Sequence, residues 1–302
     1  MVNKKLLDDL NLIYLNTKKN IYKIYQNSSF YYKKISRIFN NSFLYKPSPH
    51  LFSSIDKYQK KKYRIEDFAL KSIWQNDIKK KDYEKLNNFF WFFSLDLKSS
   101  KKTVQSLIVN WIKNNNRYNN KSWNFDLTSK RIISWLSNHQ LTYEDSDKEY
   151  KIKFDQCIQK QANHLLSEMR NSNNFENKII GCAAIILTGL AYQNNKNYLS
   201  NGLNILKKII KSSIDNQGFP NSRNIKQLSF YLKYFIVIRE WFKESQNTVP
   251  EYIDETIYYL GLSYAFIWQN INHDILFNGN YISNNNEFDQ YLKRLGYTFK
   301  NE

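Results

Sequence analysis

The sequence predicts an all-α protein built as an array of α-hairpins, and three observations lead there. Glycine and proline are scarce, seven and four in 302 residues. Sandwiches and barrels turn back about every 8–12 residues and draw on both residue types, so an all-β fold is excluded. Apolar residues recur at steps of three and four over long stretches, the period of a helix with one buried face. Helix pairs follow one another at roughly 45-residue intervals, within the range of helical-hairpin arrays. Such an array either stays open as a solenoid or closes into a ring; periodicity is compatible with both.

The elements follow in order. Leu6, Leu10, Ile13, Tyr14, Ile21, Ile24 and Tyr25 recur at helical steps among lysines, which predicts one or two amphipathic helices over 1–46. "YKPSPHLF" at 45–52 holds two prolines, each disfavouring helix at the residue before it, and marks a linker. Residues 1–50 are therefore read as a helical extension with its linker, and 51–302 as the main domain. "NNFFWFFSLDL" at 87–97 reads as a helix buried nearly all round. "SLIVNWI" at 106–112 is a further helix, and "DLTSKRIISWLSNH" at 126–139 is another with Asp126 as its N-cap. Four apolar faces then follow, at 158–169, 179–191, 203–214 and 228–242. Pro250 opens a helix through Trp268, as a proline near the first helical position does. "GCAAIILTGLAY" at 181–192 is small and apolar all round, and so predicts a central inner helix.

Hydrophobic residues make up 42% of the chain, which excludes wholesale disorder. The formal charge is +18. Excess positive charge favours polyanions. Lys, Asn, Ile and Tyr are inflated together, however, as under an AT-rich codon bias, so charge alone names no partner. The basic residues are spread along most helices, which speaks against a nucleic-acid interface with its one basic face. Cys157 and Cys182 fall in helical patterns without CxxC spacing and read as buried thiols. The four histidines show no metal-ligand spacing, and no cofactor or metal is expected. Asp8 and Asp9 interrupt the N-terminal apolar pattern, which is not that of a secretory signal. No apolar run approaches the roughly 20 residues of a membrane span, so a cytoplasmic location is the default expectation.

Phosphate-binding glycine loops, GxSxG and HExxH are absent from the sequence. Chemistry, if any, falls to side chains at the ends of helices. Three interhelical stretches hold suitable residues: "NNKSWNFD" (119–126) with Trp123, "DNQGFPNSRN" (215–224) with Arg223 and Asn224, and "NHDILFNGNYISNNN" (272–286) with Asn278, Asn280 and Tyr281. Trp stacks on pyranose faces, while Asn and Arg bind hydroxyls and carboxylates, a combination suited to a sugar site. Each stretch equally reads as an ordinary turn.

"FFWFFSLDL", "NWI", "SWNFDLTSKRIISWLSNH", "GFPNSRNIKQL" and "LFNGN" occur in this order. Together they resemble the helical N-terminal half of the heparinase II/III family, over roughly residues 85–285. That resemblance implies an (α/α) toroid, or incomplete α-hairpin barrel, behind an N-terminal helical extension. It also implies a C-terminal β-sandwich, which this chain lacks at its "YLKRLGYTFKNE" end and which a longer or second chain would supply. The implied activity is a lyase that cleaves an acidic, uronic-acid-containing polysaccharide by β-elimination. A polar neutraliser stabilises the enolate-like state at the carboxylate, and a tyrosine or histidine moves the proton. Carried onto this sequence, Asn224 is the candidate neutraliser and Tyr281 the candidate base, with Tyr258, Tyr259 and Tyr264 as alternatives. Arg223, Gln227, Trp123, Asn278 and Asn280 are the candidate substrate-binding residues. Ile225, Lys226 and Gln227 stand where the family usually carries a Tyr-His pair. The alternative reading is a non-catalytic scaffold that binds glycan or protein.

Overall fold

The computed structural model describes residues 4–38, 42–53, 62–67, 79–172, 174–192, 196–268, 275–277, 280–282 and 286–299. Its helices are α1 (Lys4–Gln26), α2 (Ser29–Ile35), α3 (Pro49–Ser53), α4 (Lys80–Asn88), α5 (Lys101–Asn114), α6 (Phe125–Ser137), α7 (His139–Thr142), α8 (Lys148–Glu168), α9 (Phe175–Ala191), α10 (Lys196–Ser213), α11 (Ile225–Glu244), α12 (Glu251–Trp268) and α13 (Asn286–Arg294). One antiparallel hairpin, β1 (Ile275–Phe277) with β2 (Asn280–Ile282), pairs Leu276 with Tyr281.

The chain is an (α/α) toroid. Helices α4, α6, α9 and α11 pack side by side as the inner wall, and α5, α8, α10 and α12 alternate with them outside. The period of the apolar residues sets this arrangement. On α9, every residue from Ile179 to Ala191 is buried, as the small apolar run requires for a helix flanked on all sides. Two glycines let α9 and α10 approach closely: a Cβ on Gly189 would lie 2.5 Å from the Leu199 amide nitrogen, and one on Gly202 2.8 Å from Ile186.

Three of the inner helices, α6, α9 and α11, begin at Phe125, Phe175 and Ile225. The interval is 50 residues each time, somewhat longer than the spacing read from the periodicity. Each is capped by an asparagine, Asn124, Asn174 and Asn224, whose side-chain oxygen accepts from the amide two residues on. Asp126, the expected cap of α6, therefore sits inside its first turn. The aromatic run at 87–97 is core, as expected, but it is not one helix. Phe89 adopts φ +59 and ends α4, and Phe90–Ser94 continues as a 3₁₀ turn. The break lets four rings, Phe89, Phe90, Phe92 and Phe93, all enter the core.

The segment before the toroid seals the gap between its first and last inner elements. Phe52 of α3 meets Phe90 (5.0 Å) and Phe93 (5.1 Å) on one side and Tyr234 of α11 (5.8 Å) on the other. Glu244, the last residue of α11, accepts from the Tyr45 hydroxyl at 2.7 Å and the Ser48 amide at 3.1 Å. Upstream, the Leu44 amide donates to the Ala191 carbonyl at the end of α9.

Phe43 packs there on Tyr143 and Tyr192, whose hydroxyls donate to Asp155 at 3.1 and 2.7 Å. Burial pushes this carboxyl up to about 6, and the two tyrosines and Lys151 only partly oppose the shift. Below that value the folded chain holds a proton that the unfolded chain, with an ordinary aspartate, releases. Asp155 therefore weakens the fold near neutral pH, and the penalty is relieved as pH falls from about 6 towards 4. Asp155→Asn is expected to gain thermal stability relative to the parent at neutral pH. The gap should narrow steadily on acidification, which paired melting curves across that range would check. His164 contributes the opposite trend, since burial depresses it to about 3, but it is common to both proteins and drops out of the difference.

Candidate functional site

Cleft at the amino ends of the inner helices

A cleft of about 560 Å³ opens where the first turns of α6, α9 and α11 converge. Its floor is aromatic, made of Phe52, Phe90, Phe230 and Tyr234. Phe230 and Tyr234, one turn apart on α11, have ring centroids 4.7 Å apart. The polar wall is divided by charge. Helix α11 contributes Lys226, Ser229 and Lys233; α6 and α9 contribute Asp126, Lys130, Glu176 and Asn177. Asp126 and Lys130 pair at 2.8 Å, one turn apart. The Lys233 ammonium lies 5.1 Å from the Phe288 ring centroid. Three helix N-termini add partial positive charge at the rim. The result is a cationic α11 side facing a mixed, partly acidic α6–α9 side.

The loop 215–224 ends at this rim and its geometry is well determined by its residues. Asp215 is the hub: its Oδ1 accepts from the Gln217 and Phe219 amides at 2.9 Å each, and its Oδ2 from Arg223 at 2.5 Å. These bonds hold the Asp215 carboxyl below its ordinary range despite some burial. Gly218 takes φ +82 and Arg223 φ +56, so the chain reverses twice within six residues. The Ser263 hydroxyl of α12 donates to the Gln217 carbonyl and fixes the loop to the outer layer.

The sequence-predicted residues fall in different places. Asn224 stands at the start of α11, two residues before Lys226, and spends its Oδ1 on the cap. Arg223 turns back to Asp215, and Gln227 accepts from the Ser222 hydroxyl at 2.6 Å. Asn280 and Tyr281 belong to β2, which runs beside α11; Asn278 lies outside the described residues. Tyr258 and Tyr259 are exposed on α12, while Tyr264 is buried and donates to Asp289 at 2.7 Å.

Trp123 requires correction as a sugar-stacking residue. Trp123 is only 1% exposed, and its indole donates to the Asn115 carbonyl at 3.0 Å. Tyr31 and His164 complete its cluster. His164 bonds the Trp123 carbonyl through Nε2 (2.8 Å) and the Tyr31 hydroxyl through Nδ1 (2.7 Å). A carbonyl only accepts, so Nε2 carries the hydrogen and Nδ1 receives the tyrosine's, which is the neutral ring its depressed pKa requires.

Sequence reasoning missed Lys226, Ser229, Phe230, Lys233, Tyr234 and Val237. Their spacing of three, four and seven places them on one stripe of α11. The signal was Lys233, a charge inside the otherwise apolar "FYLKYFIVI".

No protein-family model matches the chain, and no curated protein matches it. Among solved structures, a crystal structure of heparinase III superposes with a TM-score of 0.56 at 15% identity, covering 86% of this chain and 48% of that one. The chain thus spans about half the length of its structural neighbour. What this likeness establishes is the fold: a helical toroid, in the order the alternating hairpins lay down.

Proposed function

We propose that the cleft binds an acidic, uronic-acid-containing polysaccharide, and that the chain is the helical half of a lyase-like protein acting on it. The observation that carries this reading is the division of charge across the cleft. Carboxylates of the glycan face Lys226 and Lys233 on α11. Its hydroxyls donate to Asp126 and Glu176, and its pyranose rings lie over Phe230 and Tyr234. The toroid is shared with a protein whose name states action on heparin, itself an acidic polysaccharide. For β-elimination, Asn224 at the rim neutralises the uronate, and Tyr281 of β2 takes the proton alpha to the carboxylate and returns one to the glycosidic oxygen as the C–O bond beta to the carboxylate breaks. A β-rich half supplies the rest of the machinery.

Binding of uronate oligosaccharides and of neutral ones of equal length tests this directly by calorimetry. Lys226→Ala with Lys233→Ala should weaken the uronate ligand by roughly 10–100-fold, the worth of one or two charge-assisted hydrogen bonds, and leave the neutral ligand unchanged. Equal loss for both ligands, or loss for neither, sinks the assignment of the α11 wall. Ultraviolet absorbance of unsaturated uronate then separates a lyase from a scaffold: tight binding with no product, unaffected by Tyr281→Phe, selects the non-catalytic reading.

A further inference from the structure

Large apolar residues are rarely left in water, yet seven of the eight that are more than 60% exposed among the described residues lie between positions 12 and 30. They are Leu12, Ile13, Tyr14, Leu15, Ile21, Ile24 and Phe30; the eighth is Phe266. The same stretch, 11–38, carries Lys18, Lys19, Lys23, Lys33, Lys34 and Arg37 and no Asp or Glu at all. Helix α1 spans 23 residues, about 34 Å at 1.5 Å per residue. Among the described residues, its side-chain hydrogen bonds to the toroid come from its last two turns, where Tyr22 donates to Glu168 and Gln26 accepts from Tyr118. Ile13, Thr17, Ile21 and Ile24 fall within one narrow arc of the helical wheel, and that arc faces water. Tyr14 and Tyr25 border it, and Lys18 and Lys23 flank it on either side.

We infer that α1 and the start of α2 form a peripheral docking surface for an anionic lipid membrane, with α1 lying in the headgroup plane. Charge complementarity selects this occupant. Protein interfaces exclude lysine from their centres, whereas a lysine frame around an aliphatic and tyrosine stripe, free of acids from residue 11 on and past Asp8 and Asp9 near the start of α1, suits anionic headgroups over acyl chains. A paired coiled coil is disfavoured by Thr17 and Asn20, which fall on the seam positions between Ile13 and Ile24. No helix among the described residues is long and apolar enough to cross a membrane, so the helix lies on the bilayer. A glycan-binding toroid would thereby be held at a surface. The inference stands on α1 and α2 alone and is independent of the cleft.

The test is co-sedimentation of the full chain with vesicles of phosphatidylcholine, with and without phosphatidylglycerol. Binding is expected only where phosphatidylglycerol is present and should weaken with salt. Ile13→Asp with Ile24→Asp should lower it at least about tenfold. Charge reversal at Lys18, Lys19 and Lys23 should lower it by about fivefold per residue. Helicity and the melting transition should persist in both variants, because these side chains touch little of the toroid. Absence of vesicle binding, or binding unchanged in the isoleucine variant, overturns the inference. So does a dimer, seen by light scattering, that the isoleucine variant converts to monomer, for a second copy would then cover the stripe.

Discussion

Replacing Arg131 with methionine is expected to destabilise the protein by about 3–5 kcal/mol, the range for stripping one partner from a buried charged network. The guanidinium is fully buried in the first half of α6. It donates to the Gln161 side chain (2.7 Å), the Asn87 carbonyl (2.8 Å), the Ser122 carbonyl (3.0 Å) and Thr128 (3.2 Å). Its face lies 4.0 Å from the Trp111 ring centroid, and Trp111 in turn donates to Asn87. No carboxylate is among these partners. Burial lowers the pKa to about 9, which leaves the group charged at neutral pH. The charge is held by oxygen dipoles and an aromatic face instead of a counter-ion. Methionine fills similar space but leaves two carbonyls and an amide oxygen buried without donors. The expected fall in Tm is on the order of 5–8 °C for a chain of this length. Arg131→Lys should recover only part of it, because an ammonium cannot fork to four acceptors. Thermal melts of the three proteins would decide, and a change in Tm within about 1 °C would refute the role given to the network.

The second large effect is expected at Gly218. An alanine there would place its Cβ 2.3 Å from the Tyr259 carbonyl carbon and oxygen, at φ +82. Both the loop and α12 would have to move, at a cost of about 3 kcal/mol. Gly296 is the internal control, since its φ is +78 but a Cβ there would meet no atom within 4 Å. Gly296→Ala meets only the backbone cost, about 1 kcal/mol. Chemical denaturation of both variants should therefore rank them clearly, with Gly218→Ala the worse. Equal losses would mean that contact with α12 is not what requires the glycine.

Much of the fold was legible because helical periodicity reports burial directly. The stretches 179–191 and 228–242 announced α9 and α11 through their apolar spacing alone. Local conformation was less legible. Nothing in "NNFFWFF" marks Phe89 as the residue that turns left-handed; its ring sits against Trp111 and Trp135, partners distant in sequence that local composition does not reveal. Asn124 displaced Asp126 as a cap because both are good capping residues and only the backbone path chooses between them. The site was least legible. Arg223 and Trp123 carry residue types that suit sugar, yet one is taken up by Asp215 and the other by the interior. Composition says what a side chain can bind; only packing says whether it is already bound.

The three asparagine-capped starts, 50 residues apart, give the cleft an unexpected modularity. The residue two after each cap is Asp126, Glu176 or Lys226, and all three reach the same opening while their helices supply a common frame. Each is a partly exposed first-turn position with little stake in the core. Under the proposed function, single substitutions at these three equivalent stations would reset the charge that the cleft presents to a ligand, with the architecture behind them left untouched.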